Sequence, residues 1–229
     1  PDGDGVRDEL IVTIDAEDAR SIDGWLFEIQ TPEGDTLARF SDTGDVPRTA
    51  RWNGRPGGGV SVESGAEYVV YGGVRDAAGN EAVTETRFSV GALTEDYNGR
   101  NRIIIPTIRF PANSANIAGA SEDARRRFEL VLDRVARILR ESPETRVLIE
   151  GHANATRFNG NRPDPAEQRN ELIPLSRDRA ARVKNGLAER GVAADRMEIE
   201  GVGAADPVAS FADADGRGRN RRIEFYVLE

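Results

Sequence analysis

The chain of 229 residues has no cysteine, so disulfides and thiolate metal sites are excluded. Histidine occurs once, at His152, and a single imidazole without cysteine partners does not make a zinc site. Lysine also occurs once, as Lys184 among 31 basic residues. Arginine at nearly every basic position weakens the meaning of any single arginine. No apolar run approaches the roughly 20 residues needed to span a bilayer. No basic–apolar–small leader precedes the first strand, and the expectation is that an anchor or further segment lies before Pro1. Catalytic signatures are missing too. There is no Gly-x-Ser-x-Gly, and Gly201-Val202-Gly203 lacks the rest of a dinucleotide fingerprint. No carboxylate pair among 40 acidic residues is singled out for glycosidase chemistry. The expectation is a non-enzyme with no cofactor and no metal.

What is present is organised in two halves. The net charge of −9 is uneven: residues 1–93 hold 18 acidic and 8 basic side chains, residues 94–229 hold 22 and 23. An acidic first half argues against nucleic-acid binding and against docking on an anionic membrane. It carries short runs such as Leu10–Ile14, Trp25–Ile29 and Tyr68–Tyr71, separated by turn signals including Asp23-Gly24, Glu33-Gly34 and Gly79-Asn80. Several short strands over about 90 residues point to an immunoglobulin-like sandwich for residues 1–93. Residues 94–102 are polar and lack periodicity, and read as a linker.

Residues 103–229 alternate strand and helix. Ile103-Ile104-Ile105 opens as a strand. Ser121 caps a helix whose Phe128, Val131, Leu132, Val135, Ile138 and Leu139 form one apolar face, ended by Pro143. Val147 to Gly151 is a strand. A long polar loop follows from Ala155 to Pro174, either functional or a tolerated insertion. Ser176 then caps a second helix, with Gly191 as its stop. Strands at Met197 to Gly201 and Arg222 to Val227 complete a β-α-β-α-β-β order, a mixed sheet with helices packed against it.

Three spaced elements carry a resemblance: Gly151-His152-Ala153-Asn154, Leu175-Ser176-x-x-Arg179-Ala180 and Asn220-Arg221-Arg222. Together they resemble the OmpA-like C-terminal domain, a peptidoglycan-binding module of Gram-negative envelopes. The resemblance implies an α/β fold, a periplasmic, outer-membrane-associated location, and binding of the diamino acid in the peptidoglycan stem peptide. It places Arg179 on the ligand carboxylate. The guanidinium fork suits that task, and a position in the first turn after Ser176 would add free backbone N–H groups. The family's acidic residue is here Asn154, which can accept from an ammonium but carries no charge. Its upstream asparagine position is Leu172, with Asn170 two residues away. Phe110 and Asn113, in a stretch matching the family's first-strand exit, line the pocket or belong to the core. Gly-His-Ala-Asn with a longer loop resembles a spirochaete-type variant, which implies an ornithine rather than a diaminopimelate ligand. Separately, the segment Trp52-Asn53-Gly54 through Gly65-Ala66-Glu67-Tyr68 to Arg75-Asp76-Ala77-Ala78-Gly79-Asn80 is similar to immunoglobulin-like repeats of bacterial surface proteins and of the flagellar hook-capping protein, which implies envelope proteins as partners. The competing expectation is a structural or protein-interaction module whose pocket has lost wall binding. A weaker signal is Asp2, Asp4 and Asp8, alternating with glycine in part of a calcium-loop pattern that lacks its twelfth-position glutamate.

Overall fold

The computed structural model describes residues 9–15, 22–54, 62–214 and 216–228. The calcium candidates Asp2, Asp4 and Asp8 lie outside the described residues. The chain divides into two compact units, Pro1–Leu93 and Thr94–Glu229.

The first unit holds β1 (Leu10–Thr13), β2 (Ile22–Gln30), β3 (Thr36–Thr43), β4 (Thr49–Trp52), β5 (Glu67–Asp76) and β6 (Glu81–Ser89). An antiparallel sheet runs β3-β2-β5-β6, and β1 pairs separately with β4. Alternation along β5 sends Tyr68 and Val70 inward. Tyr68 joins Ile29, and Trp52 and Leu10 from the strand pair, in one core. The β5–β6 turn follows from its chemistry. The Asp76 carboxylate accepts from the Ala78 and Asn80 backbone N–H groups at 2.9 and 2.8 Å, and Gly79 takes a φ of 85°.

In the second unit, Thr94 to Arg102 is not a linker. β7 (Thr94–Tyr97) and β8 (Arg100–Ile103) form a hairpin closed by Asn98 and Gly99, both at positive φ. Asn-Gly between short strands is the two-residue turn that matches strand twist. The hairpin is the edge of a five-stranded sheet ordered β12-β9-β13-β8-β7, with β9 (Arg146–His152), β12 (Met197–Gly203) and β13 (Ile223–Leu228). β12 runs parallel to β9, and β13 antiparallel to both β9 and β8. The mixed sheet agrees with expectation. The first strand ends at Ile103 rather than beginning there.

Helix α1 (Glu122–Glu141) starts where Ser121 accepts from the Ala124 N–H at 3.3 Å, and it buries the apolar face expected of it. The second helix departs from expectation. It begins at α2 (Pro165–Glu167), where Asp164 caps the Ala166 and Glu167 N–H groups and Pro165 stands at the first turn. It continues through a wide π turn, Gln168–Leu172, into α3 (Ile173–Ala188). Pro174 has no N–H to give, and the wider spacing, with the Ile173 N–H on the Gln168 carbonyl, lets the chain pass it without breaking. Ser176 is therefore inside the helix and caps nothing: its Oγ donates to the Ile173 carbonyl and accepts from the Gly203 N–H.

Two glycines let this helix lie directly on the sheet. Gly151 and Gly201 are register partners on β9 and β12. A Cβ at Gly151 would stand 1.9 Å from the Ser176 carbonyl oxygen, and one at Gly201 2.4 Å from the Arg177 nitrogen. That close approach brings Arg179 onto the exit of β9.

Candidate functional site

Arg179 is fully buried, 0% exposed. Its Nε donates to the Ser114 carbonyl at 3.0 Å, Nη1 to the His152 carbonyl at 3.0 Å and Nη2 to the Pro111 carbonyl at 2.9 Å. The Phe110 ring lies under it, 5.4 Å from the guanidinium carbon. Arg179 thus ties the chain before α1 to the exit of β9. Three of its five N–H donors are engaged this way. Burial, helped by the nearby Arg221 charge, lowers its pKa to about 10, so it stays cationic at neutral pH. The expected first-turn position is corrected: Arg179 lies well inside the helical run, where no free N–H groups assist it.

Arg179 and Asn154 nevertheless border one crevice of about 230 Å³, together with Asn113, Thr156, Phe158 and Phe211. Asn113 sits at a φ of 51°, at the bend that carries the chain past the crevice. Phe110 is buried core, edge-on to Phe128, and does not border the crevice. Asn170 is exposed on the π turn and is not brought to the site.

Asn154 is held in place by its neighbours. Its Nδ2 donates to the Ala155 carbonyl at 2.6 Å, and its Oδ1 accepts from Asn220 Nδ2 at 2.9 Å. Asn220 in turn accepts from the Val208 and Ala209 N–H groups, which fixes the segment after β12. The insertion between β9 and α2 is ordered by Glu167. Its buried carboxylate accepts from the backbone of Thr156 and Arg157 at 3.0 and 2.8 Å, and from the Thr156 hydroxyl. A small hairpin of β10 (Phe158–Asn159) and β11 (Arg162–Pro163) projects from it and places Phe158 against Phe211, ring centroids 5.5 Å apart.

Two bordering residues are not anticipated by the sequence reading. Arg217, on the short helix α4 (Arg217–Asn220), and Arg221 complete the wall. Arg217 is exposed and Arg221 half-buried, so they meet solvent where Arg179 does not. Burial, together with the charge of Arg217, lowers the pKa of Arg221. Four arginines within Arg217–Arg222 are the available signal, masked because arginine is the chain's general cation. Among the described residues, no acidic side chain borders the crevice.

Beneath the β9 exit lies a buried ionic network. His152 Nε2 stands 3.1 Å from Glu150 and 3.5 Å from Glu224, short of hydrogen-bond alignment with either. Arg100 pairs with Glu150 at 2.7 Å. Glu224 accepts from Arg102, Arg222 and Tyr226 at 2.9, 2.8 and 2.6 Å. Burial raises both carboxylates, but the contact with His152 and the arginine and tyrosine bonds outweigh it and hold both below the usual range. The three acceptor groups lie within 4.8 Å of one another, as metal ligands do. Three guanidinium groups already surround the two carboxylates, so the network has no excess negative charge to offer a cation.

Residues 109–221 match the model of the OmpA family. The chain is similar to the "Peptidoglycan-binding protein ArfA" of Mycobacterium tuberculosis, with 39% identity over 97 residues, 42% of this chain and 27% of the relative. It is also similar to the "Probable lipoprotein YiaD" of Escherichia coli, with 31% identity over 117 residues, 51% of this chain and 46% of the relative. The matched segments thus span less than half the length of these curated relatives. A solved structure, the peptidoglycan-associated lipoprotein from Burkholderia pseudomallei, aligns over 53% of this chain and 89% of its own at 23% identity and TM-score 0.42. The matched residues, 109–221, hold α1, β9, the helix seated on Gly151 and Gly201, and β12, and over them the chain carries an OmpA-like domain, whose sheet is completed by β7, β8 and β13 from outside the match.

Proposed function

We propose that the OmpA-like domain binds the peptidoglycan stem peptide non-covalently and so tethers the outer envelope to the cell wall. The carrying observation is the crevice where Asn154, Asn113 and Arg179 meet, walled by Arg217 and Arg221 and free of acidic side chains among the described residues. A stem peptide is rich in carboxylates, and guanidinium forks match them bidentately. The name of the ArfA relative supports the same reading. A periplasmic, outer-membrane-associated place follows from that role; no described helix is long and apolar enough to cross a membrane. The first unit, with two sheets closed over one core, is consistent with an immunoglobulin-like module presenting a surface to envelope proteins. The Gly-His-Ala-Asn exit and the extra hairpin support a spirochaete-type variant, with diaminopimelate or ornithine as the ligand's diamino acid. The test is a pull-down on purified sacculi with Arg217→Gln/Arg221→Gln. Retention should fall by about tenfold or more, the effect of losing two charge-assisted contacts, while the melting profile stays that of the unaltered protein. Unchanged retention would reject the site.

A second reading has its own observation. The Asn154 carboxamide is engaged by Asn220 and Ala155, and Arg179 holds three main-chain carbonyls. Those contacts suit a scaffold whose pocket no longer binds. Absence of sacculus retention by the unaltered protein, with defined self-association in sedimentation, would select this reading.

A further inference from the structure

The crevice is bordered by three arginines, Arg179, Arg217 and Arg221, and by two carboxamides, Asn113 and Asn154, with no anion among its described lining. A free ammonium on the ligand would sit among Arg179, Arg217 and Arg221, all within one small cavity and so inside the ~8–10 Å over which charges are felt in physiological salt. The acidic residues of the adjoining insertion are turned to other work. Glu167 accepts from Thr156 and Arg157, and Glu171 pairs with Arg157 at 2.7 Å. Asn154 still has one Oδ1 lone pair and one Nδ2 hydrogen beyond its bonds to Asn220 and Ala155. An amide offers the complementary N–H and C=O without charge. Beside it, Phe158 is 39% exposed and rests on Phe211, an apolar surface suited to an aliphatic chain. An aromatic face attracts a cation weakly, but the guanidinium groups oppose it.

We propose that the crevice selects stem peptides whose diamino-acid side amine is acylated, as in a cross-link, over those with a free amine. Asn154 reads the amide, and Arg217 and Arg221 take the carboxylates. This rests on the wall-binding reading above and specifies the chemical state of the ligand, whichever diamino acid carries it.

The experiment titrates the full chain by calorimetry with two probes, a stem tripeptide ending in a diamino acid with its side amine free and the same peptide N-acetylated. The unaltered protein should bind the acetylated probe about threefold or more tightly, the scale of one screened like-charge contact. Asn154→Asp should reverse the order by improving the free-amine probe about tenfold, as a charge-assisted bond replaces a neutral one. Because the carboxylate introduced by this substitution would face the Ala155 carbonyl and could disturb the fold, exposed Arg217→Gln serves as the second variant. It should weaken both probes to a similar degree, about threefold or more. A free amine preferred by the unaltered protein overturns the selectivity while leaving wall binding intact. Unchanged affinity in Arg217→Gln overturns the carboxylate assignment. Binding of neither probe overturns this inference and the wall-binding reading together.

Discussion

At the residue scale, Arg179 has two duties that compete. Its guanidinium satisfies main-chain carbonyls at Pro111, Ser114 and His152, and it also borders the crevice. Each buried carbonyl left without a donor costs about 1–3 kcal/mol. Arg179→Ala should therefore destabilise the domain by about 3–5 kcal/mol, read as a shift in the urea midpoint at constant slope. A shift under about 1 kcal/mol would mean water replaces the guanidinium freely. Loss of wall binding in Arg179→Ala would thus report unfolding as readily as a lost ligand contact. Arg217 and Arg221 carry less of that ambiguity: each gives only its Nε–H to a main-chain carbonyl, of Phe211 at 3.3 Å and of Phe110 at 3.0 Å, and both meet solvent at the crevice.

At the element scale, geometry depends on small side chains in the sheet and on one helix start. Gly151→Ala would place a methyl 1.9 Å from the Ser176 carbonyl, a backbone atom that cannot rotate away. α3 must lift, and Arg179 with it. The expected cost exceeds about 3 kcal/mol, beyond ordinary overpacking, and sacculus retention should fall in parallel with the melting temperature. The β7–β8 hairpin gives a second test. A fragment beginning at Thr94 keeps the sheet edge and the Arg100–Glu150 and Arg102–Glu224 pairs, whereas one beginning at Ile104 loses both. The longer fragment should melt about 10 °C higher or more, since in the shorter one Glu150 loses Arg100 and Glu224 keeps only Arg222 and Tyr226. Equal melting temperatures would return residues 94–102 to the status of a linker.

At the scale of the whole molecule, the buried network sets the acid limit of the OmpA-like domain. Glu150 and Glu224 have folded-state pKa values below their ordinary 4.5. A depressed carboxylate contributes stability that is fully present above its unfolded pKa and disappears as pH falls through the folded one. Melting temperature should hold from about pH 7 to about 5 and fall progressively below about 4.5. Glu224→Gln should be destabilising by about 3–5 kcal/mol at neutral pH, because Arg102 and Arg222 keep their charges, and it should flatten the acid slope. An unchanged slope in that variant would remove Glu224 from the account.

Much of this fold can be read directly from residue order. The apolar face of α1, the Ser121 cap, the Gly191 stop and the strands at Val147, Met197 and Ile223 follow from periodicity and turn chemistry, which act within a few residues. The misreadings share a cause. Pro174 reads as a boundary because an isolated helix cannot absorb it, yet packing on Gly151 and Gly201 supports a π turn that can. Asp164-Pro165 is the true start signal, hidden inside a stretch that reads as loop. The family resemblance of Gly151–Asn154 and Leu175–Ala180 is what proposes that Arg179 and Asn154 belong to one site. Which side of Arg179 faces carbonyls, and that Arg217 and Arg221 from the far end of the chain close the same crevice, depended on contacts across 27 to 111 residues. Those distances are set by sheet order and close packing, and no window of sequence contains them.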